Sequence, residues 1–333
     1  MLLKLRVIIK GDFDLKIGLV LPQAGEQATT ENIIHMAKTA EQEDFDSLWV
    51  FERLLWPLKP QTPYPGTLDG SLPIEYQSIF DPIETLSFVA ANTSKIALGT
   101  SVIDMLFHNP VILARRFATL DVFSGGRAVC GLGIGWSKDE YQAANIPFSS
   151  KGKRADEFIQ VLRKIWSEDV VEFKGQYYNI PESKIGPKPI QKPTIPIYLG
   201  GFSPNTFTRI VDYDTNGWLG LVGGPLDYLE NTINALKDKA NKANKDQNSF
   251  KTILLTYPNL TESSSQSDTS NVSSPTKIQR FPLTGTIDEI AVDLKRIKGI
   301  GVEHIIFGYN FIPTGKDVNR MIDTAKQLSR FVR

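Results

Sequence analysis

One large α/β barrel is the fold class this sequence predicts. Eight short apolar runs lie along the chain, longer stretches of helical period separate them, and 333 residues with 41% hydrophobic composition can fill one large core. Repeated strand–helix units build a parallel sheet, and eight of them close into a TIM (β/α)8 barrel. The runs are KIGLVLP (16–22), SLWVFE (47–52), KIALGTSV (95–102), RAVCGLGIG (127–135), PIYLGG (196–201), GWLGL (217–221), KTILLTY (251–257) and HIIFGY (304–309).

The intervening helices follow from spacing. In TENIIHMAKTAEQEDF, Ile33, Ile34, Ala37, Ala40 and Glu41 recur at three and four, and Thr30 is placed to cap the start. In RADEFIQVLRKIWS, Phe158, Val161, Leu162, Ile165 and Trp166 form one apolar face, as expected of a helix packed on a sheet. VEFKGQYYNIPE (171–182) predicts a hairpin turning near Lys174 and Gly175, inserted before the fifth strand on the outside of the barrel.

Two insertions and one extension complete a single domain expected over 16–333. The stretch 53–80, rich in proline and aromatics, is either a packed surface loop or a cover for the site, because strand 2 delivers it to the rim where barrel sites are built. Trp56, Tyr64 and Tyr76 either line that site or anchor the loop. The serine-rich insert (259–280) is polar enough that disorder is expected. Residues 1–15 are an N-terminal extension; Lys4 and Arg6 interrupt a short apolar stretch that has no cleavage site, so it is not read as a signal peptide.

Composition narrows the function classes. Lys+Arg and Asp+Glu each number 37, so no general electrostatic pull toward nucleic acid or an acidic membrane exists, and a small-molecule substrate is the expected partner. No apolar run reaches the length of a membrane span. The single cysteine, Cys130, excludes an intramolecular disulfide and a cysteine metal cluster, and a cytoplasmic location is expected. Of the histidines His35, His108 and His304, only His108 can approach the rim, so no metal site is expected. There is no GxSxG elbow, and PTGK (313–316) lacks the first Walker glycine, its position being Asn310.

Three stretches remain as candidate sites. GLGIGW (131–136) fails the dinucleotide fingerprint, since Trp136 and Lys138 stand where a third glycine is needed. Strand alternation puts Gly131, Gly133 and Gly135 on one face, either as bare backbone for a planar ring or as room for close packing. GGFSP (200–204) closes strand 5 and opens a helix with Ser203 as cap and Pro204 at the first position; it suits a phosphate, or is a simple capped turn. Glu52 and Arg53 end strand 2, either as a surface ion pair or as a carboxylate and guanidinium that manage a proton and an anionic group.

LGTSVIDMLFHNPVILARRFATLDVFSGGRAVCGLGIGWSKDEY, KGKRADEFIQVLRKIWSED, IGPKPIQKPTIPIYLGGFSP and DTNGWL, taken in order and spacing, closely resemble the bacterial luciferase-like superfamily, especially its coenzyme F420-dependent branch. The match runs from about Lys16 to the end, apart from the serine-rich insert. The resemblance implies a TIM barrel that binds F420 or FMN at the carboxyl mouth. It implies a non-proline cis peptide at Ser101 and Val102 whose bulge supports the ring, flanking by Ile134, Gly135 and Trp136, and a phosphate held on the amides of Gly200 and Gly201. The general barrel rule would place that phosphate after strands 7 and 8 instead.

One departure stands out. Several F420 enzymes carry an acid followed by a histidine after strand 2, where this chain has Glu52 and Arg53. Arginine stays protonated and cannot be the base, which leaves Glu52 for that role or Arg53 as a stabiliser of charge on the reduced ring. The function implied is hydride transfer between F420 and an unidentified small organic substrate. An FMN-dependent monooxygenase using O2 and a non-catalytic flavin- or deazaflavin-binding barrel are the alternatives, and the family often forms homodimers.

Overall fold

The computed structural model describes residues 15–67, 69–261 and 280–332. The expected extension, apart from Leu15, and residues 262–279 of the insert lie outside them.

All eight apolar runs form strands of one closed parallel barrel: β1 (Lys16–Val20), β2 (Ser47–Val50), β3 (Ala97–Thr100), β4 (Ala128–Gly133), β5 (Ile197–Gly200), β6 (Gly217–Leu221), β7 (Lys251–Thr256) and β8 (His304–Phe307). The sheet closes through β8 beside β1 and β3 beside β4. Helices α1 (Thr30–Gln42), α2 (Pro82–Ala90), α3 (Pro110–Ser124), α4 (Lys138–Ala143), α5 (Lys151–Ser167), α6 (Pro204–Asp212), α7 (Leu226–Lys242), α8 (Ile287–Gly299) and α9 (Val318–Ser329) complete the fold. The apolar face expected of α5 is buried in full: Phe158, Val161, Leu162, Ile165 and Trp166. The cap of α1 is Thr29 rather than Thr30. Thr29 has extended backbone and accepts from Asn32 N–H, whereas Thr30 is already the first helical residue.

The predicted hairpin is present as an antiparallel pair, Val171–Lys174 with Asn179–Ser183, in a sheet separate from the barrel. At the edge of the insert, Asn259–Leu260 pairs in parallel with Thr284–Gly285.

Residues alternate between two cores. Leu48, Val50, Leu98, Leu132, Ile197, Leu199 and Ile305 face the layer of helices, while Val20, Trp49, Phe51, Leu219, Ile253 and Ile306 fill the barrel interior. Trp49 needs glycine beside it. A Cβ at Gly18 would lie 2.6 Å from its Nε1, and one at Gly99 would lie 2.4 Å from its ring. At this level His304 accepts or donates a 2.7 Å hydrogen bond with Ser47 Oγ and stands edge-on to Trp49.

One irregularity shapes the mouth. Leu98 pairs with Ala128 and Gly99 with Val129, but three residues past β3 Ile103 pairs with Leu132, and Asp104 with Gly133. The β3 side therefore holds one extra residue, a bulge spanning 100–102, and beyond it the inward and outward faces exchange. Ile103 packs in the outer core, whereas Val102 packs in the interior. The Ser101–Val102 peptide in this bulge is cis.

The long loop after β2 crosses the carboxyl end of the barrel. Tyr64 meets Trp136, just past β4, with ring centroids 5.5 Å apart, and Tyr76 meets Phe311, just past β8, at 4.7 Å. Gln61 bonds to Asp139 of α4 through both backbone and side chain. The loop is thus a cover over the mouth.

Candidate active site

The polar residues at the mouth come from the carboxyl ends of neighbouring strands. Glu52 and Arg53, adjacent in sequence, do not pair with each other. Arg53 turns toward α4, where Nε donates to Glu140 Oε1 at 2.6 Å and its terminal nitrogen bonds the second oxygen. Glu140 is completely buried and also accepts from the amides of Leu54 (2.8 Å) and Leu55 (3.4 Å), so one carboxylate orders the start of the cover loop. The guanidinium lies near two aromatic rings, 5.1 Å from that of Trp136 and 5.8 Å from that of Tyr76. Burial alone would push Arg53 down, but the carboxylates of Glu140 and Asp104 more than offset it and hold the guanidinium above its ordinary range. Of the two alternatives for 52–53, the surface ion pair is absent: Arg53 and Glu140 form a buried pair, and Glu52 and His108 a half-buried one.

Glu52 makes the second pair. Its Oε1 lies 2.7 Å from His108 Nε2, and its Oε2 accepts the Asp104 amide at 2.8 Å. Both oxygens are engaged. Glu52, Arg53 and His108 line a cleft of about 500 Å³ together with Trp56, Tyr76 and Phe107.

Asp104 sits between these pairs. Its Oδ2 is 3.6 Å from Arg53, and its Oδ1 would lie 2.8 Å from a Cβ at position 133. Burial pushes its carboxyl up to about 7; Arg53 pulls the other way, and Glu52 and Glu140 add to the rise.

The glycine strip is not bare backbone. A Cβ at Gly131 would strike the Thr100 carbonyl at 1.8 Å, and one at Gly133 would meet Val102 Cγ2 at 2.7 Å. At Gly135, with φ +72°, the space belongs to Phe107. These glycines permit close packing of the β3 bulge, the plainer of their two expected roles. Gly200 does the same from the other side, since its Cβ would meet Val102 Cγ1 at 3.0 Å. Val102 is thereby seated between Gly133 and Gly200, facing the mouth.

Ile134, Gly135 and Trp136 follow β4 directly, and the Tyr141 hydroxyl donates to the Ile134 carbonyl. Gly201 (φ +116°) is exposed at the start of α6; its carbonyl accepts from Trp218 Nε1 at 2.8 Å, and Ser203 caps the helix with Pro204 at the first position, as expected. At the bulge, Ser101 Oγ is buried with no hydrogen-bond partner among the described residues.

Asp104 and Glu140 escaped the sequence reading, and His108 entered it only as the one histidine able to approach the rim. Asp104 and His108 follow strand 3 at the rim, so the barrel rule that directs attention to strand ends was the available signal. Glu140 reads as an ordinary first-turn acid of a short helix, and nothing in the sequence marks it. Among the described residues, no three His, Cys, Asp or Glu side chains gather as metal ligands, and no helix is long and apolar enough to cross a membrane.

Residues 16–269 match the family described as luciferase-like monooxygenase. An uncharacterized protein of Mycobacterium tuberculosis is 32% identical over 184 residues, 55% of this chain and 65% of that relative, so the match spans under two thirds of its length. An F420-dependent glucose-6-phosphate dehydrogenase of Kineococcus radiotolerans is 30% identical over 229 residues, 67% of this chain and 62% of the relative. Two solved structures share the fold over nearly the whole chain. The monooxygenase RslO1 from Streptomyces bottropensis has TM-score 0.74 and 19% identity, covering 95% of this chain and 98% of its own. An F420-dependent secondary alcohol dehydrogenase, in complex with an F420–acetone adduct, has TM-score 0.74 and 20% identity, covering 96% and 99%.

Proposed function

From the premise that this chain belongs to the luciferase-like monooxygenase family, we propose that it is an oxidoreductase moving a hydride between coenzyme F420 and a small organic substrate. The observation that carries this is the seat of Val102. Two glycines on adjacent strands hold it at a bulge facing the mouth, beside a buried Ser101 hydroxyl that has no partner among the described residues. A buried polar atom left unpaired calls for an explanation, and a ring laid against the bulge supplies one. F420 rather than FMN is favoured by two relatives named F420-dependent glucose-6-phosphate dehydrogenase, 30% and 27% identical.

The residues present fit such a group. Ser101 and Val102 would support the ring, Ile134, Gly135 and Trp136 would flank it, and Gly200 and Gly201 at the α6 start would hold its phosphate. When bound, the cofactor supplies the two-electron acceptor or donor for hydride transfer. The chain's own residues orient and exclude. Tyr64 and Tyr76 hold the cover loop across the mouth. The Glu52–His108 pair presents a polar edge to the cleft for a substrate hydroxyl or carbonyl, and Trp56 and Phe107 supply its apolar walls. Arg53 is neutralised by Glu140, so its task is to shape the wall rather than to carry a free charge. Small-molecule partners, a cytoplasmic setting and a homodimer accompany this assignment.

Titration of the purified protein with F420 and with FMN, followed by absorbance and fluorescence, tests it. F420 is expected to bind at least 10-fold more tightly than FMN. Gly201→Val, which places a branched side chain at a φ of +116° and crowds Thr206, is expected to weaken F420 binding while circular dichroism stays that of the barrel. Tight FMN binding with oxygen-dependent product formation would replace this assignment with a monooxygenase; F420 binding unaffected by Gly201→Val would remove the phosphate from α6.

A further inference from the structure

Charge sorts what the cleft at the mouth can hold. Of the described residues lining it, Arg53 alone carries a permanent positive charge, whereas Glu52 and Asp81 are acids. That cation is already matched. Two nitrogens of Arg53 bond Glu140, Asp104 stands 3.6 Å away, and the three side chains are only 5%, 1% and 12% exposed. Two buried carboxyls therefore face one guanidinium. The start of α2 also reaches the cleft, through Asp81 and Pro82, and a helix start attracts negative charge. Asp81 at the cap and Glu84 in the first turn already supply it. An anion entering the cleft would meet Glu52 and Asp81 with no unpaired cation among the described lining residues to offset them, and like charges brought together are costly.

An uncharged oxygen finds a better partner. Both Glu52 oxygens are engaged, one by His108 Nε2 at 2.7 Å and one by the Asp104 amide at 2.8 Å, but the other ring nitrogen of His108, Nδ1, has no partner among the described residues. With Nε2 donating to the carboxylate, Nδ1 accepts from a hydroxyl; in the protonated ring it donates to a carbonyl. Leu55, Trp56, Ile79 and Phe107 add an apolar wall, and a volume of about 500 Å³ is that of a small-ligand cleft. We propose that this cleft takes an uncharged alcohol or carbonyl compound with an apolar arm, hydrogen-bonded to His108, and that Glu140 and Asp104 exclude anionic substrates by cancelling the charge of Arg53. This assignment names the substrate class of the site and rests on the mouth holding a redox cofactor, as proposed above. Glu140 and Asp104 lie outside the cleft lining, so they act on selection only through Arg53.

Mandelamide and mandelate test this, because they share an aromatic ring and a secondary hydroxyl and differ in charge. In titration calorimetry at neutral pH, on the protein alone and with F420 bound, mandelamide should bind at least about 10-fold more tightly than mandelate. His108→Leu should weaken mandelamide binding by about 3- to 10-fold, the loss of one hydrogen bond, which places the ligand in this cleft. Glu140→Gln combined with Asp104→Asn removes both carboxylates that face Arg53 and should shift the ratio toward mandelate by about 10-fold or more. A merely structural effect would weaken both probes alike, and Glu140→Gln alone should move the ratio the same way by less. Mandelate binding to the wild type as tightly as mandelamide overturns the proposal. So does an unchanged ratio in variants whose circular dichroism is that of the barrel, or binding of neither probe to either form of the wild type. Failure of the wild type to bind F420 or FMN would remove the oxidoreductase reading, whereas a preference for mandelamide in the protein alone would show that the charge selection stands without it.

Discussion

Replacing Glu140 by alanine should cost more than any other single change at the mouth. The side chain is wholly buried and accepts from four donors: two nitrogens of Arg53 and the amides of Leu54 and Leu55. Its removal leaves the Arg53 guanidinium, 5% exposed, with Asp104 at 3.6 Å as its only remaining carboxylate among the described residues. Breaking one side of a buried ion pair costs about 3–5 kcal/mol, because the surviving charge stays desolvated. An unfolding entropy of about 2.1 cal/mol/K per residue gives roughly 0.7 kcal/mol/K for a chain of 333 residues. The Tm of Glu140→Ala should therefore fall by about 4–7 °C. Differential scanning calorimetry reads this directly.

The double variant Arg53→Met with Glu140→Leu supplies the control. If the loss comes from an uncompensated charge, removing both charges should recover most of it, since apolar replacement of a buried pair is often neutral or better. A Tm for Glu140→Ala within about 1 °C of wild type would refute the claim that this pair is desolvated. A double variant no more stable than the single one would instead place the cost in the lost amide bonds of the loop.

Gly133→Ala should destabilise by about 1–3 kcal/mol through contact with Val102, and adding Val102→Ala should recover much of that in thermal denaturation. The His304 ring, lowered to about 3 by burial and secondarily by Lys16, takes up a proton more readily in the unfolded chain. Its contribution is complete above about pH 6.5 and is lost by about 1.4 kcal/mol per unit as pH falls toward 3, so urea denaturation of wild type against His304→Gln should converge in acid. Asp104 has the opposite sign. With its folded value raised from 3.8 to about 7, stability relative to Asp104→Asn should decline as pH rises between those values and level off above them.

The barrel was legible because its signal is repeated. Every strand carries apolar residues on both faces, as a parallel sheet covered by helices and filled inside requires, and the helices show a clean apolar stripe. The hairpin at 171–183 was equally plain, with Gly175 at the turn. The site was less so, because its polar members come from separate segments and their partners depend on topology. Glu52 and Arg53 sit side by side in sequence, which suggests one ion pair, yet successive residues at a strand end point apart, toward His108 and toward Glu140. The glycines of 131–135 suggested open backbone. Their neighbours on the adjacent strand fill that space, and no pattern within a single strand can show this.

The extra residue in β3 connects these observations. Before the bulge, even-numbered Leu98 faces the helices; if alternation continued unbroken, Val102 and Asp104 would face them too, and Ile103 would point into the mouth. A carboxylate at 104 would then be buried among aliphatic side chains with no partner, a costly placement. The register observed avoids this. Ile103 enters the outer core, and Val102 and Asp104 turn inward over Gly133 and Gly200. The order Val-Ile-Asp-Met is thus compatible with the bulged register and not with a regular strand, so the residue that breaks the alternation is also what delivers a carboxyl and a supporting side chain to the same face of the mouth.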